Sequence, residues 1–362
     1  MARDGAQPAY DPAGHDTALR SALQEVRAGR WMSMRILLEQ TGSWSQWTRR
    51  TQVLAASAAG TDVVRAWLAE EPRSVAAAVM HARVVVERAL RAHREDHRRT
   101  RELWLQAWHA CDAATRAAPH DPVPWVCLLA LARLDEGQRW EEHRLAPPEP
   151  MLPPGPWGLL AEAGKRDPYN REAYHRMLQF LYPRGDSERL AQAAGFAHWA
   201  AGSAPPGSAL HMLPLYVRVE RYRRSSAREA ALDLHWVAED ATREAGQAFD
   251  SWFTLCPRDE RSLPDLNHLA HALWGALRFR EANQVFDALG PYWTPLPWAC
   301  RTPGDGSARR AVEVFLQART RSRSAAGGRG GGGAARPRPP PPPGPAPPPP
   351  PPHARDRDRR QP

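Results

Sequence analysis

Lysine is almost missing from this chain: of 49 basic residues only Lys165 is not an arginine. Together with abundant Ala, Gly and Pro, that bias is the mark of a GC-rich coding sequence, so arginine content by itself argues for no particular partner. Cysteine is scarce as well. Cys111, Cys127, Cys256 and Cys300 stand at irregular separations without any paired spacing, which excludes both a zinc knuckle and a disulfide framework. Long apolar runs are absent too. The longest, Val123–Ala132, covers ten positions and includes Pro124 and Trp125, against the roughly 20 a membrane-spanning helix needs. The first fifteen residues contain Asp4 and Asp11 and lack the basic start and apolar stretch of a secretory signal. The expectation is a soluble cytoplasmic protein without a membrane partner. No glycine-rich phosphate loop follows a strand and no serine nucleophile elbow occurs, so no catalytic residue, metal ligand or cofactor is assigned.

What is present divides sharply near residue 302. Residues 303–362 contain 12 Arg against four acids (Asp305, Glu313, Asp356 and Asp358) and 15 of the 37 prolines. Of the formal net charge of +9, this tail therefore carries all but one unit. A near-neutral body lacks the footprint with which most nucleic-acid-binding domains neutralise phosphates, leaving at most a weak nucleic-acid association through the tail. From residue 322 the chain turns Gly-rich and then polyproline, a composition that builds no core and predicts disorder or extended polyproline II. Arg336, Pro339 and Pro342 fit a basic polyproline pattern, which a run this rich in proline satisfies almost inevitably.

Before residue 290 nearly every segment reads as helix, because apolar residues recur three or four apart and β-type alternation is absent. Leu19, Leu23 and Val26 form one stripe; Val53, Leu54 and Ala58 another; Leu103, Trp104, Ala107, Trp108 and Cys111 a third. Helix starts are signalled by Asp167 before Pro168, by Ser226 with Glu229, and by Ser262 ahead of Pro264 and Asp265. A helix end followed by proline recurs at Pro72, Pro119, Pro168, Pro205 and Pro257. That spacing brackets the periods of helical-hairpin solenoids, about 34 to 47 residues, with too much scatter for a strict repeat. The boundaries expected are a disordered arm at 1–15, a helical-repeat body at 16–302 with a Pro-rich break at 146–156, a terminal helix within 303–321, and the tail at 322–362.

The sharpest segment is 266–289. Leu266, Leu269, Ala270 and Leu273, then Phe279, Ala282, Phe286 and Leu289, resemble the two helices of a tetratricopeptide repeat, with small Ala270 and Ala282 where the helices approach. Leu277 stands where that family prefers glycine, and Thr294 where it prefers proline. A fainter copy has Ala22, Gly29, Trp31, Met34 and Leu38 at corresponding places. The whole chain also resembles an uncharacterised class of Trp-rich bacterial helical proteins, a resemblance that implies no activity. The tetratricopeptide resemblance implies an all-α solenoid or superhelix, acting as a non-enzymatic scaffold for a protein or peptide partner. It also implies that Asn267, His271 and Trp274 face a concave groove, which makes them the candidate partner-binding residues.

Other constellations carry blander readings. All 15 tryptophans lie between Trp31 and Trp298, where indoles fill gaps between irregularly stacked helices. His93 and His97 are four apart, yet Arg91, Arg94, Arg98, Arg99 and Arg101 would repel a divalent cation. His268 and His271 have no evident third ligand. Glu239 with Asp240 and Asp259 with Glu260 would suit a helical-toroid enzyme acting on a saccharide, the runner-up function, but adjacent helical residues diverge by about 100°.

Overall fold

The computed structural model describes residues 7–135, 137–182, 187–224, 231–301 and 308–327, with backbone alone at 187, 188 and 231–233. Among them the fold is all-α, without a strand. The capping pair Ser226 and Glu229 and the polyproline pattern at 336–342 lie outside the described residues.

Three hydrophobic cores follow one another along the chain. The first is built by α1 (Thr17–Arg27), α2 (Met32–Glu39), α3 (Trp44–Ala58) and α4 (Val63–Glu70) around Leu23, Met34, Leu54 and Trp67. The second takes α5 (Val75–Arg94), α6 (Thr100–Ala117), α7 (Val123–Ala132), α8 (Trp157–Arg166), α9 (Arg171–Phe180), α10 (Ser187–Ser203) and α11 (Leu213–Arg224) around Trp104, Leu129, Met177 and Phe196. In the third, α12 (Ala231–Val237), α13 (Glu239–Ala248), α14 (Leu263–Gly275), α15 (Phe279–Leu289), α16 (Pro295–Trp298) and α17 (Ala308–Gly327) enclose Trp252, Leu269, Phe286 and Phe315. The apolar run of Val123–Ala132 is α7, buried on all sides, as a helix hydrophobic all round must be. Two helices serve two cores each. On α5, Met80 and Val84 face the first core while Val79, Ala82 and Val86 face the second; on α11, Leu213 and Val217 face the second while Leu215 and Val219 face the third.

The seams between cores are polar, and the first turn of α9 closes both. Arg83 on α5 donates to both Glu172 oxygens at 2.7 and 2.6 Å, and Arg176 adds two bonds to Oε1 of that carboxylate at 2.9 and 3.1 Å. Arg171 turns the other way and grips Asp265 of α14 through two bonds of 2.6 Å, while Tyr216 of α11 donates to the same carboxylate at 2.7 Å. Asn170, the N-cap of α9, reaches Thr48 of α3 at 3.2 Å. Burial pushes the Glu172 carboxyl up, but the Arg83 and Arg176 guanidiniums outweigh it and hold it at about 2. Asp265 is likewise held at about 2, its burial overcome by Arg171.

Several boundaries differ from the expectation. The arm is packed against the rest of the chain over residues 9–14: the Ala9 N–H donates to Pro291 O at 2.8 Å, the Trp293 N–H donates to Ala9 O at 3.1 Å, and Ala13 and Gly14 are buried. Main-chain pairing holds it, which no side-chain pattern announces. The Pro-rich break at 146–156 is packed in its second half only: Leu152, Pro153, Gly155 and Pro156 are buried and Leu152 joins the second core, while Ala146 and residues 148–151 are exposed. The terminal helix runs past 321 to Gly327 because Ala311, Phe315, Ala318 and Ser322 keep one stripe buried. Asp167 does not cap α9; it accepts from Asn170 Nδ2 at 2.6 Å, and Asn170 accepts the Ala173 N–H. Ser262 does cap α14, accepting the Asp265 N–H at 3.2 Å. His93 ends inside α5, whereas His97 follows Asp96 at φ 49°, so the two histidines do not share a helical face. The four cysteines are free thiols.

The hairpin of α14 and α15 buries Leu266, Leu269, Ala270, Leu273, Ala282, Phe286 and Leu289, seven of the eight residues on which the tetratricopeptide resemblance rests; the eighth, Phe279, is half-buried. At its turn the Leu277 N–H donates to Trp274 O and the Arg278 N–H to Leu273 O, a Schellman ending that sets Leu277 at φ 61°. The α1–α2 turn closes the same way with Gly29 at φ 79°. A Cβ in this conformation costs roughly 1–2 kcal/mol, of which glycine's chain entropy takes back about 0.5–1 kcal/mol. Leu277→Gly is therefore expected to raise the melting temperature by about 1–3 °C, while Leu277→Ala brings no gain; a drop for the glycine variant would contradict the turn assignment.

Acid titration tests the buried network. Burial pushes the His268 imidazole down to about 4 and those of His175 and His271 well below the ordinary range. These histidines and the two carboxylates all have native values below their unfolded ones. Their stabilisation is thus complete above the unfolded values and is lost on acidification, from about pH 6.5 for histidine and from about pH 4.5 for the acids. Unfolding free energies from urea titration should be level between pH 7 and 8, decline from near pH 6.5, and steepen below pH 4.5; a flat profile down to pH 5 would contradict this.

Candidate functional site

The closure of the chain on itself leaves a cleft where its beginning, α3, the start of α9 and the start of α14 meet. The arm at 10–16 forms one wall. Helix α3, capped by Ser43, which accepts the Gln46 N–H, presents Gln46, Arg49, Arg50 and Val53 toward it at helical spacing. The loop at 258–262 supplies Arg258, Asp259 and Arg261, and Arg171 forms part of the floor. The cavity encloses about 490 Å³. A smaller lobe of about 260 Å³ continues from it, sharing Arg49, Gln52, Arg171 and Ser262 and adding Asp167 and Glu260.

Each acid facing the larger lobe is already engaged. Asp11 accepts from Arg20 Nε at 2.6 Å. Asp16 caps α1 by accepting the Leu19 N–H at 3.0 Å and also takes Arg50 Nε at 2.9 Å and Arg49 Nη2 at 3.3 Å. Burial raises the Asp16 carboxyl, but Arg50 and the Leu19 N–H outweigh this and leave it low. Asp259 is bridged to α3 by Gln46 at 3.2 Å. The arginines are less well matched. Arg49 shares its single carboxylate with Arg50; burial, opposed by Asp16 but reinforced by Arg50, lowers its pKa. Arg261 lies over the Phe253 ring at 4.4 Å and donates to Cys256 O at 3.1 Å; burial, with Arg258 nearby, lowers its pKa too. Arg258 is exposed and has no side-chain hydrogen bond or ion pair among the described residues.

The residues expected to face a groove are brought together, but under cover. Asn267 is fully buried, donating to Leu263 O at 2.9 Å and accepting from Trp298 Nε1 at 2.8 Å. His271, also fully buried, accepts from Arg301 Nε at 2.9 Å. Trp274 is half-buried beneath the Arg301 guanidinium, 5.1 Å from its ring centre. The three do share one face of α14, and the segment carrying Trp298 and Arg301 lies over it; in this structure they form core rather than groove. Of the tryptophans, Trp67, Trp236, Trp252 and Trp298 are fully buried, in keeping with gap filling. Asp240 pairs with Arg218 at 2.8 Å, whereas Asp259 and Glu260 line different lobes, so neither adjacent acid pair acts as a couple. Among the described residues no group of three His, Cys, Asp or Glu is placed to hold a metal ion, and no helix is long and apolar enough to cross a membrane.

Sequence reasoning missed the cleft because its lining comes from four distant segments and its arginines were indistinguishable from the compositional excess. The available signal was the spacing of Gln46, Arg49, Arg50 and Val53, a polar row with one apolar member on an otherwise apolar-striped helix. No family model, curated protein or solved structure matches the chain.

Asp16→Asn keeps a capping side chain but leaves Arg49 and Arg50 without a counter-charge. The expected loss is about 1–2 kcal/mol, smaller at 1 M salt than at 0.05 M because screening relieves the two guanidiniums. Urea unfolding at both salt concentrations checks this; a loss independent of salt would contradict the charge assignment.

Proposed function

We propose that the protein is a non-enzymatic scaffold of stacked helical hairpins, of tetratricopeptide type, that holds a protein or peptide partner without covalent chemistry. The groove is the two-lobed cleft, not the face of Asn267, His271 and Trp274. One observation carries this reading. The cleft is the open surface on which the arm, α3, α9 and α14 converge, and the ion pairs around it hold its walls in place before any partner arrives. A preformed groove spares a partner complex much of the ordering cost of association.

The saccharide-cleaving alternative calls for separated carboxylates converging among tryptophans. Asp11 and Asp16 are instead each bound by arginine, and the large lobe has no tryptophan among its described lining residues. A photo-reactive benzophenone side chain in place of Gln52, which borders both lobes, is expected to capture a discrete polypeptide from native extract. The same group in place of Glu239, whose side chain is 97% exposed and lines neither lobe, should not. Absence of an adduct at 52, or identical adducts at both positions, would remove the proposal.

A further inference from the structure

Four guanidiniums face the larger lobe beyond the one that Asp265 neutralises: Arg49, Arg50, Arg258 and Arg261. Two carboxylates answer them, Asp16 and Asp259, since Asp11 is taken by Arg20, which does not line the cavity. The lobe therefore holds a local surplus of two positive charges inside a recess closed by apolar Val53, Leu263 and Pro264. Elsewhere the buried guanidiniums are matched: Arg83 by Glu172, and Arg218 by Asp240 and Glu244. Arg49, Arg50 and Arg261 are partly buried and Arg258 is exposed at the rim; removing cations from water without a full set of counter-charges is costly, and a lobe with that imbalance suits an anion.

We infer that the larger lobe is a binding site for a doubly charged oxyanion of the phosphate-monoester type, held by Arg49, Arg258 and Arg261. The inference rests on the cleft being the working groove and names the chemistry it takes. A phosphate monoester carries about −1.5 to −2 charges at pH 7, which matches the surplus, whereas one carboxylate neutralises half of it. Arginine forks suit its three oxygens, since each guanidinium offers two parallel donors. Burial and a neighbouring arginine displace the Arg49 and Arg261 pKa values downward, whereas the carboxylates paired with Arg83, Arg171 and Arg218 outweigh burial and displace theirs upward. The smaller lobe sets the limit of the site. With Asp167 and Glu260 on its wall, it repels a polyanion threading through both lobes, which disfavours a nucleic-acid strand and favours an isolated dianionic group at one end of the cleft.

Phosphate-monoester chemistry comes from two sources, a free phosphorylated metabolite or a phosphorylated side chain, and calorimetric titration of the full chain separates them. The probes are O-phospho-serine and glycerol 3-phosphate for the first source, and a phosphoserine peptide with its unphosphorylated form for the second, all at constant ionic strength. The expected result is saturable one-to-one binding of at least one phosphorylated probe and none of the unphosphorylated peptide. Arg258→Glu, a change at an exposed residue, should weaken it at least tenfold, as should Arg49→Gln. Arg243→Glu, at a side chain that is 66% exposed and lines neither lobe, should leave it unchanged. Tighter binding of the peptide assigns a phosphorylated polypeptide; tighter binding of the free probes assigns a metabolite. No saturable binding of any phosphorylated probe, or binding indifferent to Arg258→Glu, overturns the inference. The scaffold reading is scored separately by the adduct at position 52: an adduct that persists without phosphate binding leaves the groove and removes the dianion, and phosphate binding without a polypeptide adduct does the reverse.

Discussion

Arg171 and Glu172 are neighbours in sequence, and their side chains leave the first turn of α9 toward different helices, Asp265 of α14 and Arg83 of α5. Glu172 joins Arg83 at the seam between the first and second cores, and Arg171 joins Asp265 and Tyr216 at the seam between the second and third. A buried ion pair adds little net stability over a well-packed apolar contact, yet removing one partner costs about 3–5 kcal/mol because the other charge is stranded. What such a pair does supply is a fixed relative position. Two of them, back to back on one helical turn, set α5 and α14 with respect to α9, and so fix the distance across the cleft whose floor includes Arg171.

The cleft follows from that constraint. Once α14 is placed, the α14–α15 hairpin sits where the arm at residues 9–15 can pair with 291–293 and where Gln46 of α3 can reach Asp259. The arm thus meets the segment that follows the α14–α15 hairpin, and the arginines of α3 and those of the 258–261 loop line one cavity. Charge of one sign accumulates because the segments are brought together by contacts made elsewhere, at the polar seams and along the arm. The cost of that accumulation is moderated by Asp16, which serves at once as helix cap and as counter-ion. Binding, in this account, completes an electrostatic balance that folding leaves open.

Much of the helical content was legible in the sequence, and the reasons are local. The stripe of Leu19, Leu23 and Val26 is α1, Ser262 caps α14 through the bond its spacing implied, and Ala270 and Ala282 are both fully buried in the α14–α15 hairpin. The departure at Leu277 was legible as well, because the turn demands a left-handed residue whichever side chain occupies it. What could not be read is nonlocal. Nothing near Glu172 in sequence marks Arg83 as its partner, main-chain pairing of Ala9 leaves no side-chain pattern, and Asn267 and His271 pointed to a groove only while the covering of α14 by Trp298 and Arg301 was unknown. The same limit hid the cleft: Asp16, Arg49, Arg171 and Arg258 form a site only after the three cores have been joined.

The central claim is that the first turn of α9 couples three cores into one cooperative unit. Residue-resolved native-state hydrogen exchange, in the intact protein and in Arg171→Met, tests it most directly. In the intact protein the most protected amides of α3, α9 and α14 should open with one common free energy, and in the variant those of α14 should exchange at lower denaturant while α3 remains protected. An intact protein in which α14 already opens independently, or a variant in which all three still open together, would contradict the account.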